Sequence, residues 1–313
     1  LEDERDRVLT SLLVPFMSCG ARLPVYELIS AVFFPNYAGL VVFGMYLLGI
    51  LVALAIGFVL KRTLLPVTTH APTIMEMPPY RLPTPRTIWF HTWTRVTAFI
   101  GGAGSIIFGT MIVVWFLMSI PVGGTGSFAD TDVDDSAFAT VSGVVTPAFE
   151  PAGFGTWEAA GSLLTGFVAK EVVVGTMAQV YGVDDDEVSN TDPSIGESAR
   201  EIGTGFAGAV VGALKATPGI VGIDLTDDEA DEESSSLMAS IRASFEESSG
   251  GHGSAAALAF LVFVLLYTPC MAAVGAIRQE TGARWMWLSI FGQTAVAWAC
   301  AVVVFQGAKV IGL

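Results

Sequence analysis

Two short proline-containing stretches place cysteine inside apolar segments, and these are the positions where the chain could bind a metal ion. The first covers residues 15–24, and the second is Tyr267-Thr268-Pro269-Cys270-Met271. Proline removes a backbone donor and clashes with the preceding turn, so each stretch predicts a break in a helix. Thiol and thioether sulfur beside unwound backbone oxygen suits a transition-metal ion, and paired broken segments are typical of a transport site.

The cysteines also have an ordinary interpretation as packing residues. Cys19 and Cys270 lie at the breaks, next to Met17 and Met271, whereas Cys300 lies inside an apolar run. Free cysteine is commonly buried as a small apolar residue, and methionine commonly fills gaps in a core. We therefore interpret Cys300 as packing and assign a metal or gate function only to the two cysteines at the breaks.

A second chemical feature is the pair of opposite charges Lys170 and Glu171, near the centre of the apolar run 157–181. An ionisable group at membrane depth normally faces protein or water, which makes the pair a candidate functional site. Neighbours on a helix do not face one another, so these two side chains are expected to have separate partners. Glu171 would serve as a cation ligand or gate. The alternative is a structural ion pair between helices.

The elements that must position these residues are membrane helices. The chain has 313 residues, of which 52% are hydrophobic and 14% are charged, whereas a soluble domain carries roughly a quarter charged residues. The runs that predict spanning helices are 8–34 (broken), 38–60, 98–120, 157–181, and two clean spans, 255–277 and 285–308. Weaker candidates are 139–149, as a re-entrant segment, and 202–223. The expected fold is an all-α polytopic bundle with broken helices.

Basic residues predict the orientation of this bundle. Residues 61–95 hold five of the fifteen bases, which places them in the cytoplasm by the positive-inside tendency. Within them, 88–96 predicts an interfacial helix. The stretch 121–137 contains no base and is expected outside. The acidic stretch 224–253 predicts a loop with one amphipathic helix around 237–245.

These observations predict five regions along the chain. They are a first gate-type membrane region at 1–62, a cytoplasmic loop and interfacial helix at 63–97, a central gate region at 98–223, an acidic loop at 224–253, and C-terminal membrane helices with the second cysteine motif at 254–313.

The charge balance excludes two classes of function. Thirty acids against fifteen bases give a net charge of -15. Binding to nucleic acid needs clustered lysine and arginine, so nucleic acid is excluded as a partner. The G-x-x-x-x-G-K-[ST] phosphate loop does not occur in the sequence, so nucleotide hydrolysis by that route is not expected.

The motifs around these residues resemble those of the FeoB-type ferrous iron transporters. Residues 15–26 resemble the first gate-region motif, 169–176 the central motif, 263–270 the second gate motif, and 276–280 the segment that follows it. The motifs occur in the family's order and cover nearly the whole chain. The chain is therefore identified as a member, corresponding to most of the membrane domain without the G domain.

This resemblance implies the function and the partners. It implies that Fe²⁺ is carried into the cell through a multi-pass domain in the plasma or inner membrane, with no permanently bound cofactor. In the family, an N-terminal G domain binds and hydrolyses GTP. That G domain, or a separate G subunit, is expected as a partner, and this chain itself is not expected to be an enzyme. A small FeoA-type partner and a homo-oligomer are further expectations.

The predicted site therefore has two sets of residues. The metal or translocation path is predicted to consist of Cys19, Cys270, Met17, Ser18, Met271 and Glu171. Gating or structural roles are predicted for Pro15, Gly20, Arg22, Pro24, Lys170, Thr268 and Pro269. A mixed set of sulfur and oxygen donors suits Fe²⁺, which is borderline in softness. No catalytic residue is predicted.

Two rival functions remain open from the sequence. One keeps transport but changes the cargo to Mn²⁺, Zn²⁺ or a nucleoside-like solute. The other is a membrane anchor or receptor whose broken helices are only structural. A membrane-embedded enzyme is a weaker third alternative, because no pair of nucleophile and base stands out.

Overall fold

The computed structural model describes residues 4–63, 83–99, 101, 105–122, 128, 133–170, 172–181, 231–268 and 270–311. Within these ranges every regular element is helical, and the only strand-like pairing is an isolated bridge between Pro121 and Ser136. The α-helices are α1 Glu4–Leu13, α2 Leu23–Phe33, α3 Ala38–Thr63, α4 Pro85–Phe99, α5 Ser105–Ser119, α6 Ala137–Val145, α7 Trp157–Val168, α8 Val172–Val180, α9 Asp231–Ser249, α10 Gly253–Leu266, α11 Met271–Thr281 and α12 Ala283–Ile311. The predicted all-α class is confirmed.

The chain forms two compact units. The larger unit contains residues 1–181 and 241–313, and the smaller contains residues 182–240. In the smaller unit the described residues are 231–240, which form the first part of α9. The weaker span predicted at 202–223 lies outside the described residues. The predicted division into five regions stays a prediction.

Three described stretches are long and apolar enough to cross a membrane. They are Arg5–Phe33, Ala38–Thr63 and Ala283–Ile311, and they match the runs predicted at 8–34, 38–60 and 285–308. Large apolar side chains of α3, such as Phe43 and Leu54, are exposed on the outside of the unit. Exposed carbon of this kind suits contact with lipid, because a helix satisfies its own backbone polar groups.

Two runs predicted as spanning helices are interrupted. Residues 157–181 form α7 and α8 with a break at Ala169 and Lys170, and residues 255–277 form α10 and α11 with a break that includes Tyr267, Thr268 and Cys270. The prediction of one helix through Lys170 is therefore wrong. The break predicted at 267–271 is confirmed, so the description of 255–277 as a clean span is wrong. The proline in that stretch of the sequence explains the break. The break at Ala169 and Lys170 contains neither proline nor glycine, so tertiary contacts must stabilise it.

The remaining predicted segments form shorter helices. Helix α5 has 15 residues and would extend about 22 Å, less than the roughly 30 Å of bilayer hydrocarbon. The segment predicted at 139–149 contains α6, which ends in the 3-10 turn Thr146–Ala148. The predicted helix at 237–245 is confirmed as part of α9. The interfacial segment 88–96 lies in α4, where the rings of Trp89 and Trp93 stack with centroids 5.9 Å apart; its position in a membrane stays a prediction.

Helix α10 is the centre of the larger unit. Its sequence is apolar on every side, and nearly all of its side chains are buried. A helix that is hydrophobic all round must be surrounded by protein or lipid. Here Phe260 meets Phe154 edge-to-face with ring centroids 5.4 Å apart, and Phe263 meets Phe149 in the same way at 5.2 Å. These contacts fix the end of α10, and therefore the start of the break that contains Cys270.

Helix α12 packs along α10 and fixes the turns that follow α6. Trp298 donates its indole N–H to the carbonyl oxygen of Ala148 at 2.6 Å, and Gln306 donates to that of Pro151 at 3.0 Å. Between these turns and α7, Gly153 has a φ of +83°, and a Cβ there would overlap the ring of Phe305. The last helix thus places α7 against the end of α10.

Candidate cation path at three helix breaks

The first break separates α1 from α2 and is confirmed at the predicted position. After Leu13 the chain makes the 3-10 turn Val14–Phe16, becomes extended at Met17 and Cys19, and makes a second 3-10 turn at Gly20–Arg22. Pro15 lies in the first turn and Pro24 in the first turn of α2. Proline is tolerated at those positions because the first N–H groups of a helix have no partner within it. The break therefore follows from local chemistry.

Arg22 lies across the first break and is 2% exposed. Its Nη2 atom donates to the carbonyl oxygen of Pro15 at 2.9 Å, and its Nη1 atom donates to that of Met17 at 3.2 Å. Carbonyls released from a helix at membrane depth need a donor from the protein or from water. The guanidinium supplies two, so the cation stabilises the unwound backbone directly.

The second break, between α7 and α8, positions Lys170. Ala169 is extended, and Lys170 is 2% exposed. Its Nζ atom lies 3.4 Å from the carbonyl oxygen of Val264, 3.5 Å from that of Tyr267, and 4.2 Å from the centre of the Tyr267 ring. The ammonium thus binds the carbonyl end of α10, where helix carbonyls lack partners and a cation is favoured. Glu171 lies outside the described residues.

The third break, between α10 and α11, is held by Thr268. The hydroxyl of Thr268 donates to the carbonyl oxygen of Ile290 at 3.0 Å and is also hydrogen-bonded to the hydroxyl of Thr294. Both partners lie on α12, so the unwound segment is tied to the long C-terminal helix. Cys270 is extended and directly precedes α11, which begins at Met271. Pro269 lies outside the described residues.

The three breaks meet at the carbonyl end of α10. Lys170 joins the second break to the third through the two bonds described above. Gly49 of α3 faces both the first break and α10, because a Cβ there would lie 3.1 Å from the carbonyl oxygen of Phe16 and 3.2 Å from Leu265 Cδ1. Helix α10 also contacts the turn Val14–Phe16 of the first break directly. Both predicted cysteine stretches therefore belong to one site.

The sulfur atoms of this site are accessible rather than enclosed. Cys19 is exposed and Cys270 is half-buried, while Met17 and Met271 are 50% and 37% exposed. Across the described ranges, His, Cys, Asp and Glu side chains do not form any group of three that could hold a metal ion. The sulfur donors at the breaks are therefore two thiols and two thioethers that are at least partly accessible.

Sequence reasoning missed two tyrosines at the breaks. Tyr26 on α2 and Tyr267 at the end of α10 are almost completely buried. The hydroxyl of Tyr267 has no hydrogen-bond partner among the described residues, whereas those of Tyr26 and Ser18 lie close to one another without a well-formed hydrogen bond. A buried tyrosine hydroxyl usually has a partner, so these oxygens are available to water or to a hydrated cation. The signal in the sequence was the position of each tyrosine, within a few residues of a cysteine break.

The hydroxyl end of Tyr267 packs directly against Gly166 of α7, where there is no room for a side chain. A Cβ there would overlap the hydroxyl of Tyr267 and the γ2 methyl of Val173. We expect Gly166→Val to displace the ring and to lower the free energy of unfolding by about 1–2 kcal/mol through overpacking. SDS titration of the purified protein measures this loss. Gly143→Val, where a Cβ meets nothing within 4 Å, is the matched control, and equal losses in both variants would contradict the prediction.

Two family models match the chain. The model described as Ferrous iron transport protein B C terminus matches residues 42–95. The model described as Nucleoside recognition, with the short name Gate, matches residues 100–284, which is more than half of the chain. The second and third breaks lie within the Gate match.

Curated proteins are similar over the full length of the chain. The Fe(2+) transporter FeoB of Legionella pneumophila (strain Lens) is 36% identical over 99% of this chain and 40% of that protein. The Fe(2+) transporter FeoB of Salmonella typhimurium (strain LT2) is 33% identical over 98% of this chain and 39% of that protein. The chain thus spans about two fifths of the length of these relatives. No solved structure matches the chain significantly.

Proposed function

Because this chain belongs to the Gate family and, within it, to the FeoB type, we propose that it forms part of the path by which Fe²⁺ crosses the plasma or inner membrane into the cell. The observation that supports this most directly is the meeting of three helix breaks around the carbonyl end of α10, with a cysteine at two of them. Broken helices at membrane depth are where transport proteins expose backbone oxygen to an ion.

The chemistry of the donors suits the proposed cargo. Fe²⁺ accepts both sulfur and oxygen ligands. Cys19 and Cys270 would supply sulfur, and the buried hydroxyls of Ser18, Tyr26 and Tyr267 would supply oxygen, of which that of Tyr267 has no competing partner in the described part of the chain. Glu171 is proposed as a further oxygen ligand. The accessible thiols would remove part of the ion's hydration shell, and the open donor set would allow the ion to leave again.

The two buried bases would regulate access to this path. Arg22 and Lys170 already bond to carbonyl oxygens at the first and third breaks. A cation that approached the same oxygens would be repelled by them, because like charges interact strongly where water is excluded. We propose that passage of Fe²⁺ requires one or both bases to move away from these carbonyls. Pro15, Gly20, Pro24, Thr268 and Pro269 would keep the unwound segments in position.

The partners follow from the length of the relatives. The chain covers about two fifths of them, so the remainder of such a protein would supply further domains. We propose a G domain or separate G subunit that couples GTP to transport, a small FeoA-type partner, and assembly into a homo-oligomer. The phosphate-loop motif is absent from these 313 residues, so GTP binding is assigned to the partner domain.

Replacement of both thiols tests the proposal. We expect Cys19→Ser/Cys270→Ser, made in the full-length native protein, to reduce uptake of radioactive Fe²⁺ by about tenfold or more, since loss of groups around a metal commonly has effects of this size. Uptake by cells that have no other ferrous iron transporter measures this. Cys300→Ser is the matched control, because this half-buried cysteine of α12 lies outside the breaks. Unchanged uptake in the double variant would remove the cysteines from the path.

The same assay separates the rival functions. The description Nucleoside recognition keeps a nucleoside-like solute as a second candidate cargo. Inhibition of Fe²⁺ uptake by excess Mn²⁺ or Zn²⁺ would indicate a broader divalent-metal transporter, and uptake of a labelled nucleoside without Fe²⁺ uptake would favour the second candidate. A membrane anchor or receptor would transport neither and would tolerate Glu171→Gln.

A further inference from the structure

An apolar crevice lies in the larger unit. It has a volume of about 350 Å³, and its walls come from α1, the turn Val14–Phe16 of the first break, α3 and α12. The lining is mainly carbon, from residues that include Leu12, Phe16, Ile56, Val59 and Val296. Val59 and Leu288, at its edges, are 55% and 45% exposed. The crevice therefore opens onto the surface that α3 and α12 present to lipid.

The crevice has few polar groups, and the main one is the amide of Gln293. Gln293 donates its amide nitrogen to Ser289 Oγ at 2.9 Å and to the carbonyl oxygen of Leu12 at 3.4 Å. Gly292, one residue earlier on α12, lines the crevice, and a Cβ there would meet nothing within 4 Å. The space beside Gly292 is thus open and is the natural entry for a hydrocarbon chain.

Beside one end of the crevice lie the bases Lys61, Arg62 and Arg284, here called the basic rim, and at the same end α1 carries Arg7 and one acid, Asp6, directly before Val8. Leu60 and Trp285 both pack against the buried pair Val8 and Leu12, so the bases next to them in sequence lie at the same end. All three bases are exposed, and within the described ranges none of them is paired with a carboxylate. The guanidinium of Arg62 lies 4.1 Å from the centre of the Phe58 ring, which keeps this charge beside α3.

We infer that this crevice binds an anionic phospholipid, with one acyl chain between α1, α3 and α12 and the phosphate on the basic rim. Basic residues at the end of a membrane helix attract anionic headgroups over a short range. An acyl chain matches the apolar walls, and a headgroup with net negative charge matches three exposed bases that have no paired carboxylate among the described residues. A polypeptide segment could fill the apolar crevice, but it would leave the positive charges of the basic rim without a negative partner. The proposal does not depend on the identity of the cargo, although Phe16 of the first break lines the crevice.

The charge part of this site is tested by lipid selectivity. In the full-length native protein, native mass spectrometry should show that phosphatidylglycerol binds more tightly than phosphatidylcholine. Because each base near the surface contributes about fivefold in affinity, Lys61→Gln/Arg62→Gln/Arg284→Gln should reduce that preference by at least about tenfold. Arg86→Gln/Arg95→Gln/Lys309→Gln removes three exposed bases that are not adjacent to Leu60 or Trp285 and should leave it unchanged. Equal binding of both lipids, or equal effects of the two triple variants, would overturn the proposal.

The acyl-chain part is tested by filling the crevice. Gly292→Leu should lower the number of bound phosphatidylglycerol molecules and abolish the rise in melting temperature that this lipid produces. Gly307→Leu is the matched control, because Gly307 lies on the same helix, and a Cβ there also meets nothing within 4 Å, but it does not line the crevice. Undiminished lipid binding by Gly292→Leu would overturn the proposal. The proposal would also be overturned if Gly292→Leu misfolds and the unmodified protein binds no phosphatidylglycerol. A segment of protein, rather than a lipid, would then occupy the crevice.

Discussion

Arg22→Met should lower the free energy of unfolding of the protein by about 2–4 kcal/mol, because two carbonyl acceptors are left without a donor in a dry environment. Arg22 is 2% exposed, and it donates to Pro15 at 2.9 Å and to Met17 at 3.2 Å. Methionine has a similar length and no charge, so the loss reports mainly the hydrogen bonds. SDS titration of the purified protein gives the free energy.

Two further variants show whether the loss of stability is specific to the hydrogen bonds of Arg22. Arg278→Met is the same substitution at an exposed arginine of α11, and it should change the free energy by less than about 0.5 kcal/mol. Arg22→Lys keeps the charge but loses the planar fork that reaches two acceptors at once, so we expect an intermediate loss. A stability of Arg22→Met equal to that of the parent would mean that the two carbonyls are satisfied in another way.

Lys170→Met should cost about 2–3 kcal/mol of unfolding free energy and should also abolish the link between the second and third breaks. The ammonium bonds to the carbonyl oxygens of Val264 and Tyr267 and lies over the Tyr267 ring. The distances from Lys170 Nζ to these two oxygens, 3.4 and 3.5 Å, are longer than the hydrogen-bond distances of Arg22. We therefore expect a smaller loss of unfolding free energy, although carbonyls left without a donor at a helix end remain costly. Thermal unfolding in detergent and SDS titration both measure it.

A second readout distinguishes the link from general stability. Accessibility of the Cys270 thiol to a maleimide should rise in Lys170→Met, in a background of Cys19→Ser/Cys300→Ser, because the end of α10 is no longer held. Lys309→Met changes a lysine in the last turn of α12 and serves as the control. If the rate of Cys270 labelling is the same in Lys170→Met and in the parent, Lys170 does not hold the third break.

The paired roles of Arg22 and Lys170 suggest how broken helices persist in this fold. Each base is buried, each comes from a break, and each donates to carbonyl oxygens that a continuous helix would have satisfied. Their cost of burial is reduced because the carbonyl end of a helix carries partial negative charge. The same carbonyl oxygens are the atoms that a transported cation would approach, so stability and the proposed transport depend on the same groups.

Much of the fold could be predicted because its signals are local. Apolar runs near 30 Å in length identify α3 and α12 as spanning helices, and composition alone indicates the membrane. The prolines at 15, 24 and 269 predict where a continuous helix cannot run through, since the missing N–H and the ring clash act within one turn. The break at Ala169 and Lys170 carries no such signal. It depends on Lys170 reaching α10, some ninety residues further along the chain.

By itself, the sequence determined the all-α membrane class, the two cysteine breaks and the family to which the chain belongs, because all of these depend on residue type and spacing over short distances. Only the tertiary structure decided which carbonyls the two bases satisfy, that three breaks meet at the end of α10, and that the sulfur atoms are accessible. The physical reason is that a carbonyl released from a helix accepts a donor from any part of the chain that packing brings within about 3 Å. Spacing along the sequence does not specify that donor, whereas the packing of α10 between its neighbours does.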